Sequence, residues 1–450
     1  METELGKHCD IAQCLRHGVA YHHAGLSQEA RWLIEGLIRD RLVNVVCGTT
    51  TLAQGINFPI TTVIIETLRK GKTGRLSFQD FWNIAGRAGR TLIDVVGTIV
   101  FPTPSKAKRQ EYIDFLKNDA KEVASQLMEL IANADEISKK FDLETLRANS
   151  RLSPLLQFLA HAMRVSGNEN LADEVEELLR ASLVYHQVQK RSPDAAGKLI
   201  KICRSYLEHA RQYQSILDLA DRTGFATPSV LELLSRKEHN NEITRAINWR
   251  SSRLFGNNIN PLRKRIEAIA DLPEIRLGQD EGYSPNAEKV ARILRDWVNG
   301  KTLEELAQNY GNQDLEPSRQ VVDFSKYLFS ILSTISWGIG ALETVCLGNE
   351  QSHISDINYI PSMIFFGVQR KEAIWLRMAG VPRIVANGLA DIWKQSIADE
   401  PKSYDGIREW VANLSDSDWQ KAIPSGTTLT PSDMRLIWQD FMGERDKAGY

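Results

Sequence analysis

The chain has 450 residues, with 55 Lys and Arg against 57 Asp and Glu, for a net charge of −2. A length of this order exceeds one core, and the near-neutral balance excludes a uniformly basic or acidic polyelectrolyte while allowing basic residues to cluster on one face. Five scattered cysteines (Cys9, Cys14, Cys47, Cys203, Cys346) exclude a disulfide framework and point to a reducing, cytoplasmic setting, and no apolar run approaches the roughly 20 residues that cross a bilayer, so no membrane is expected.

In chain order, Cys9 and Cys14 lie near His8 and His17. No second ligand pair follows at zinc spacing, so no metal site is assigned. Residues 17–104 then read as α/β. Val19–His22 is a short strand leading into His23-Ala24-Gly25-Leu26. Ser27 is placed to cap a helix whose apolar stripe is Leu33, Ile34, Leu37 and Ile38. Val43–Cys47 and Thr62–Ile65 read as buried strands, and Val95–Phe101 as another β-rich run, stopped by Pro102 and Pro104. Strands alternating with helices predict a parallel sheet with ligands at the carboxyl ends of its strands.

Helical patterns dominate after Pro104. Breaks are expected at Ser192-Pro193 and Thr227-Pro228, and strong helices over Ala287–Val298 and Ser318–Leu347. A compact helical element follows over 361–397, with turns at Gly367 and Gly380-Val381-Pro382. The expected divisions are 1–104, 105–250, 251–350, 351–397 and 398–450. The last segment carries no functional signal.

The run Asn83-Ile84-Ala85-Gly86-Arg87-Ala88-Gly89-Arg90 holds two arginines three apart, each preceded by glycine. Arginine offers a planar fork of donors that stays charged, and the glycines leave it unobstructed. This is the chemistry of an arginine finger that stabilises charge on a transferring phosphoryl group. Thr49 and Thr50 sit at a strand end with hydroxyl and N–H donors suited to a nucleic-acid phosphate. The segment from Leu68 to Leu76 holds Lys70, Lys72, Gly71 and Gly74, which fits either a basic hairpin or a plain solvated loop.

Other phosphoryl-transfer parts are missing. Gly71-Lys72-Thr73 is not a P-loop, because Glu66 stands where its first glycine belongs. No Asp-Glu-x-His or Asp-Glu-x-Asp occurs. Asp135-Glu136-Ile137-Ser138 and Asp173-Glu174-Val175-Glu176 both fail at the fourth position. No residues are therefore expected here to hold Mg²⁺ and the phosphates tightly.

Taken together, His22-His23-Ala24-Gly25-Leu26, then Gly48-Thr49-Thr50-Thr51-Leu52-Ala53-Gln54-Gly55-Ile56-Asn57-Phe58-Pro59, then Gln79 to Arg90 resemble the second RecA-like domain of superfamily-two DExH helicases, superkiller-like branch. Asn83 departs from the glutamine usual at the head of the third motif, which shortens that amide's reach. The resemblance implies an α/β RecA-like parallel-sheet domain over 1–104, followed by mostly α-helical accessory domains: a linker domain over 105–250, with a winged helix as one form of it, a helical bundle with a ratchet-like helix over 251–350, and a helix-hairpin-helix-like element over 351–397.

The resemblance also implies roles. Arg87 and Arg90 would reach the γ-phosphate. Gly55, Asn57 and Gly86 would line the ATP cleft. His23, Gly25, Thr49, Thr50, Lys70 and Lys72 would line the nucleic-acid path, joined by Arg319, Lys326 and Trp337 of the long helix and by Arg377 and Arg383 beside the hairpin at Gly380. Trp337 suits a core position as well as a stacking platform. ATP and Mg²⁺ would be bound mainly by a first RecA-like domain supplied from outside this sequence, in cis or in trans. DNA is favoured over RNA because of the hairpin element. The alternative is a non-catalytic nucleic-acid-binding subunit of a larger complex, with an antiphage defence system as one setting.

Overall fold

Short β-branched runs separated by one amphipathic helix build parallel pairs, because two parallel neighbours need a crossover between them. The computed structural model describes residues 10–23, 26, 28–48, 60–70, 74–76, 81, 84–85, 88, 98–117, 176–177, 179–180, 185–186, 189–190, 192–210, 214–275, 277, 286–348, 357–396 and 403–442. The elements of the α/β part are α1 (Asp10–Arg16), β1 (Val19–His22), α2 (Gln28–Arg39), β2 (Val45–Gly48), β3 (Thr62–Ile64), β4 (Arg69–Lys70), β5 (Gly74–Arg75), β6 (Thr98–Val100) and α3 (Lys106–Lys117). Then come α4 (Pro193–Ala210), α5 (Gln214–Thr223), α6 (Thr227–Glu238), α7 (Asn260–Ile269), α8 (Ala287–Val298), α9 (Leu303–Tyr310) and α10 (Pro317–Leu347). The last are α11 (Ile360–Phe366), α12 (Lys371–Met378), α13 (Arg383–Ser396), α14 (Tyr404–Ala412), α15 (Asp416–Ala422) and α16 (Pro431–Met442).

The chain divides into two compact units, each discontinuous in sequence. One holds Met1–Asp119, Arg292–Ser333 and Ser362–Tyr450; the other holds Ala120–Ala291 and Thr334–Pro361.

In the first unit β1 pairs with β2 in parallel, with Val19 opposite Val45 and His22 opposite Gly48. β3 pairs with β6 in parallel, with Thr62 opposite Thr98 and Ile64 opposite Val100. β4 and β5 pair antiparallel, with Arg69 opposite Arg75 and Lys70 opposite Gly74, a pairing that the basic Leu68–Leu76 segment allows. Buried Leu68 and Leu76 fasten the base of this pair to a core of Ile65, Phe81, Ala85, Tyr112 and Phe115. The Tyr112 hydroxyl lies 2.9 Å from the carbonyl oxygens of both Ile65 and Glu66, which ties α3 to the end of β3.

The junction of α8 and α9 closes on Asp296, which is buried and accepts from Arg295 at 2.7 Å, Lys301 at 2.6 Å and the Tyr310 hydroxyl at 2.8 Å. Burial alone would raise its pKa, but these donors hold it below the ordinary carboxylate value. Thr302 and Glu305 exchange side-chain and backbone hydrogen bonds, a capping box that starts α9.

The second unit packs around Trp249, Leu254, Leu262, Ile266 and Ile269, all buried. Arg265 lies among them with no exposed surface. Its guanidinium donates to the carbonyls of Pro261 at 2.8 Å, Asn248 at 3.0 Å and Glu242 at 3.1 Å, and stacks 4.3 Å from the Trp249 ring. Burial lowers its pKa to about 10, with Glu242 opposing, so it stays charged at neutral pH. Gly338 of α10 lets the helix approach α7, since a Cβ there would meet Ile269 and Ile275 at 2.7 Å.

Helix α10 corrects one expectation. Its most apolar 18-residue window has a mean hydropathy of 1.4, long and apolar enough by composition to cross a bilayer. The reason is that residues 327–342 carry no charged side chain. Of that window 61% is buried inside the protein, as in the core helix of a globular fold.

Replacing Arg265 by Ala is expected to destabilise the chain by about 3–5 kcal/mol, because three carbonyls lose a charged donor together and the buried stack on Trp249 is emptied. Urea unfolding followed by tryptophan fluorescence measures this, and a loss under about 1 kcal/mol would contradict the assignment.

Candidate nucleic-acid interface

Strand β1 ends in two histidines that do different work. His22 is buried, and its Nε2 lies 2.9 Å from Glu35 Oε1, which joins the strand to α2. His23 stacks parallel on Tyr21, with ring centroids 5.7 Å apart. It is 9% exposed. Burial and then the positive charges of Lys326, His22 and Arg31 lower its pKa from 6.5 to about 4. At neutral pH His23 is therefore an uncharged ring beside cations.

Lys326 comes from α10, some 300 residues along the chain, and is exposed. Arg319 is exposed too, and stands seven residues earlier. That spacing is about two helical turns, so both cations project from one side of α10. The structure thus brings together His23 and Lys326, two residues assigned separately to the nucleic-acid path. Exposed cations in this arrangement can contact backbone phosphates, and a neutral imidazole near Lys326 adds no positive charge to repel them.

The hairpin strand β4 ends at Lys70, whose backbone is placed at the tip side of the β4–β5 ladder. Gly25, Thr49, Thr50, Gly55, Asn57, Lys72, Gly86, Arg87 and Arg90 lie outside the described residues. Their flanks are anchored. Gly48 closes the β1–β2 ladder just before Thr49. Phe81 and Ala85 are buried before Gly86, with Phe81 packed against Phe101 and Phe115 at centroid distances of 6.0 and 5.3 Å. Among the described residues no three His, Cys, Asp or Glu side chains converge on a cation position.

Two assignments are corrected. Arg377 and Arg383 are not surface contacts for a phosphate, because both side chains are buried and turned inward. Arg377 donates to the Val381 carbonyl at 2.7 Å and pairs with Glu29 at 2.5 Å. Arg383 donates to the carbonyls of Trp297 and Lys301 at 3.2 and 2.8 Å and stacks 3.9 Å over the Trp297 ring. Trp337, in the second unit, is held by structure as well. Its Nε1 donates to the Thr223 carbonyl at 2.7 Å and its ring meets Phe225 edge-on at 5.0 Å, which leaves 39% of it exposed.

The residue that sequence reasoning passed over is Glu29. Only its place in the first turn of α2 marked it, and a carboxylate there reads as an ordinary dipole partner.

A histidine with a lowered pKa takes up its proton later than the unfolded chain does. Stability is therefore expected to fall as pH drops from 6.5 toward 4, and to be full above that range. The carbon chemical shifts of labelled His23 should report a midpoint near 4. A midpoint at 6.5 would remove Lys326 and burial as neighbours of that ring.

Residues 3–91 match the helicase conserved C-terminal domain family. The ATP-dependent DNA helicase Hel308 of Caldivirga maquilingensis is 24% identical over 432 residues, which is 88% of this chain and 53% of that protein. A Helicase POLQ-like protein of Caenorhabditis elegans is 30% identical over 201 residues, 44% of this chain and 18% of that protein. The Hachiman protein HamB of Bacillus cereus is 24% identical over 236 residues, 45% of this chain and 21% of that protein. The chain spans about half the length, or less, of these curated relatives. A conserved C-terminal helicase domain thus lies at the start of a chain that is similar, along most of its length, to superfamily-two helicases of the superkiller-like branch.

Proposed function

We propose that this chain is the C-terminal part of an ATP-dependent nucleic-acid helicase and translocase, divided into the five parts given above, and that it is not an ATPase alone. The observation that carries this reading is that Lys326 of α10 lies near enough to His23 for its charge to bear on that ring. A strand-end motif of the α/β domain and an exposed cation of the long helix face the same place, as two walls of one track would.

Along that track His23, Gly25, Thr49 and Thr50 grip the strand from the α/β side, while Arg319 and Lys326 neutralise its phosphates from the helical side. Lys70 and Lys72 of the hairpin contact the strand where it enters. Trp337, which belongs to the other unit, is a separate candidate for base stacking. The preference for DNA rests on the relatives named as DNA helicases, since the element at Gly380 no longer supports it. The likeness to the Hachiman protein HamB supports an antiphage defence setting with a defence-system partner.

ATP, when bound with Mg²⁺ on the first RecA-like domain of the complete protein, supplies the free energy for closing a cleft between the two domains. Asn57, Gly55 and Gly86 form this chain's side of that cleft. Arg87 and Arg90 aim fixed positive charge across it, where negative charge grows during transfer.

In the complete protein, Arg87→Ala or Arg90→Ala is expected to lower ATP turnover by about 10³-fold or more while leaving DNA affinity within about twofold. Steady-state ATPase rates beside DNA-binding isotherms measure the two effects. Full turnover in both variants would overturn the finger assignment.

A further inference from the structure

The turn between α12 and α13 has the outline of a phosphate-binding hairpin. Gly380 takes a φ of 82°, the left-handed region that suits glycine, and Pro382 leads straight into α13. A helix that starts in this way presents free N–H groups to an anion. An anion is present at that position, and the protein supplies it. Glu29 Oε1, from the first turn of α2, accepts from the backbone N–H of Arg383 at 3.3 Å and from the Arg377 guanidinium at 2.5 Å.

The rest of the turn is closed. Ala379, Gly380, Val381, Pro382 and Arg383 are all buried. The Met378 carbonyl accepts from the Tyr404 hydroxyl at 2.8 Å, and the Ala379 carbonyl accepts from Trp438 Nε1 at 2.9 Å. Gly380 lies against Met442, so a Cβ there would collide with that side chain. Helix α16, which supplies Trp438 and Met442, packs on α2 as well. The chain's last described helix is thus a cover over the hairpin.

We propose that the α12–α13 hairpin is an intramolecular carboxylate dock, and that Glu29 is a positioning residue which occupies its anion position in place of a nucleic-acid phosphate. The dock ties α2 to α13, and Arg383 carries the tie on to Trp297 and Lys301. Glu29 stands six residues after His23. Docking therefore fixes the start of α2 against the helical block from which Lys326 projects. Burial would raise the Glu29 pKa, but Arg377 and the Arg383 N–H hold it below the usual carboxylate range, so the group is charged when docked.

The test uses the full 450-residue chain. Glu29→Gln keeps the shape and removes the charge. It is expected to speed amide hydrogen exchange in α13 and α16 by about tenfold, with the β3–β6 pair unchanged. The charge exchange Glu29→Arg with Arg377→Glu is expected to recover at least part of that protection, which a simple packing role for either residue would not give. Arg377→Met is expected to leave single-stranded DNA affinity within about twofold. Unchanged exchange in Glu29→Gln would overturn the dock. So would a loss of DNA affinity of about fivefold or more in Arg377→Met with exchange unaltered, the result for a phosphate reader. The exchange arm is independent of nucleic acid: a chain that bound no DNA would refute the proposed function and leave the dock to be decided by exchange alone.

Discussion

Parallel pairing of β1 with β2 obliges the chain to cross over through α2, and that crossover places the groups on which the first unit depends. At the end of β1 it leaves His23 buried and stacked on Tyr21. At the start of α2 it sets Glu29 in the first turn, and one turn and a half further on it sets Glu35 against His22. A single strand–helix junction thereby presents a neutral ring to a basic face, a carboxylate to a distant helix start, and an internal clasp that keeps the two in register. Antiparallel pairing would have joined the strands by a short turn and brought none of these groups to one end of the sheet.

The electrostatics of the unit follow from which charges are buried and which are not. Glu29, Arg377, Arg383 and Asp296 are each met by several partners inside the protein, so their charges are spent on holding elements together. Arg319 and Lys326 stay at the surface of α10. A cation in water loses little on meeting a phosphate and releases counterions when it does, whereas a buried paired cation would have to break its own contacts first. This difference separates the residues fit for a nucleic-acid strand from those of the same type that are not.

Much of this was legible in the sequence, for reasons that can be named. Strand β1 is found where its short apolar run places it, because Gly18 with a φ of 70° ends α1 sharply and leaves four residues to extend. Helix α8 keeps its expected bounds, since its apolar stripe is regular from end to end. Strand β2 begins two residues later than the apolar run suggests and takes in Gly48, because its register partner His22 decides its end. The hairpin arginines were misread for a physical reason. Arg377 and Arg383 beside Gly-Val-Pro carry the local signature of a phosphate site, and what fills it comes from Glu29, 354 residues from Arg383. No local pattern can report a partner at that distance. Trp337 was ambiguous by type, and the structure divides it between a hydrogen bond to Thr223 and an exposed face.

The central claim is that the end of β1 and the side of α10 grip one strand together. A double-mutant cycle on single-stranded DNA affinity with His23→Ala and Lys326→Ala tests it most directly. Two groups on one strand, lying near enough for one charge to bear on the other, should be coupled, so the account predicts an interaction free energy of about 1 kcal/mol. Losses that add within about 0.3 kcal/mol would contradict it and separate the two residues into unrelated sites.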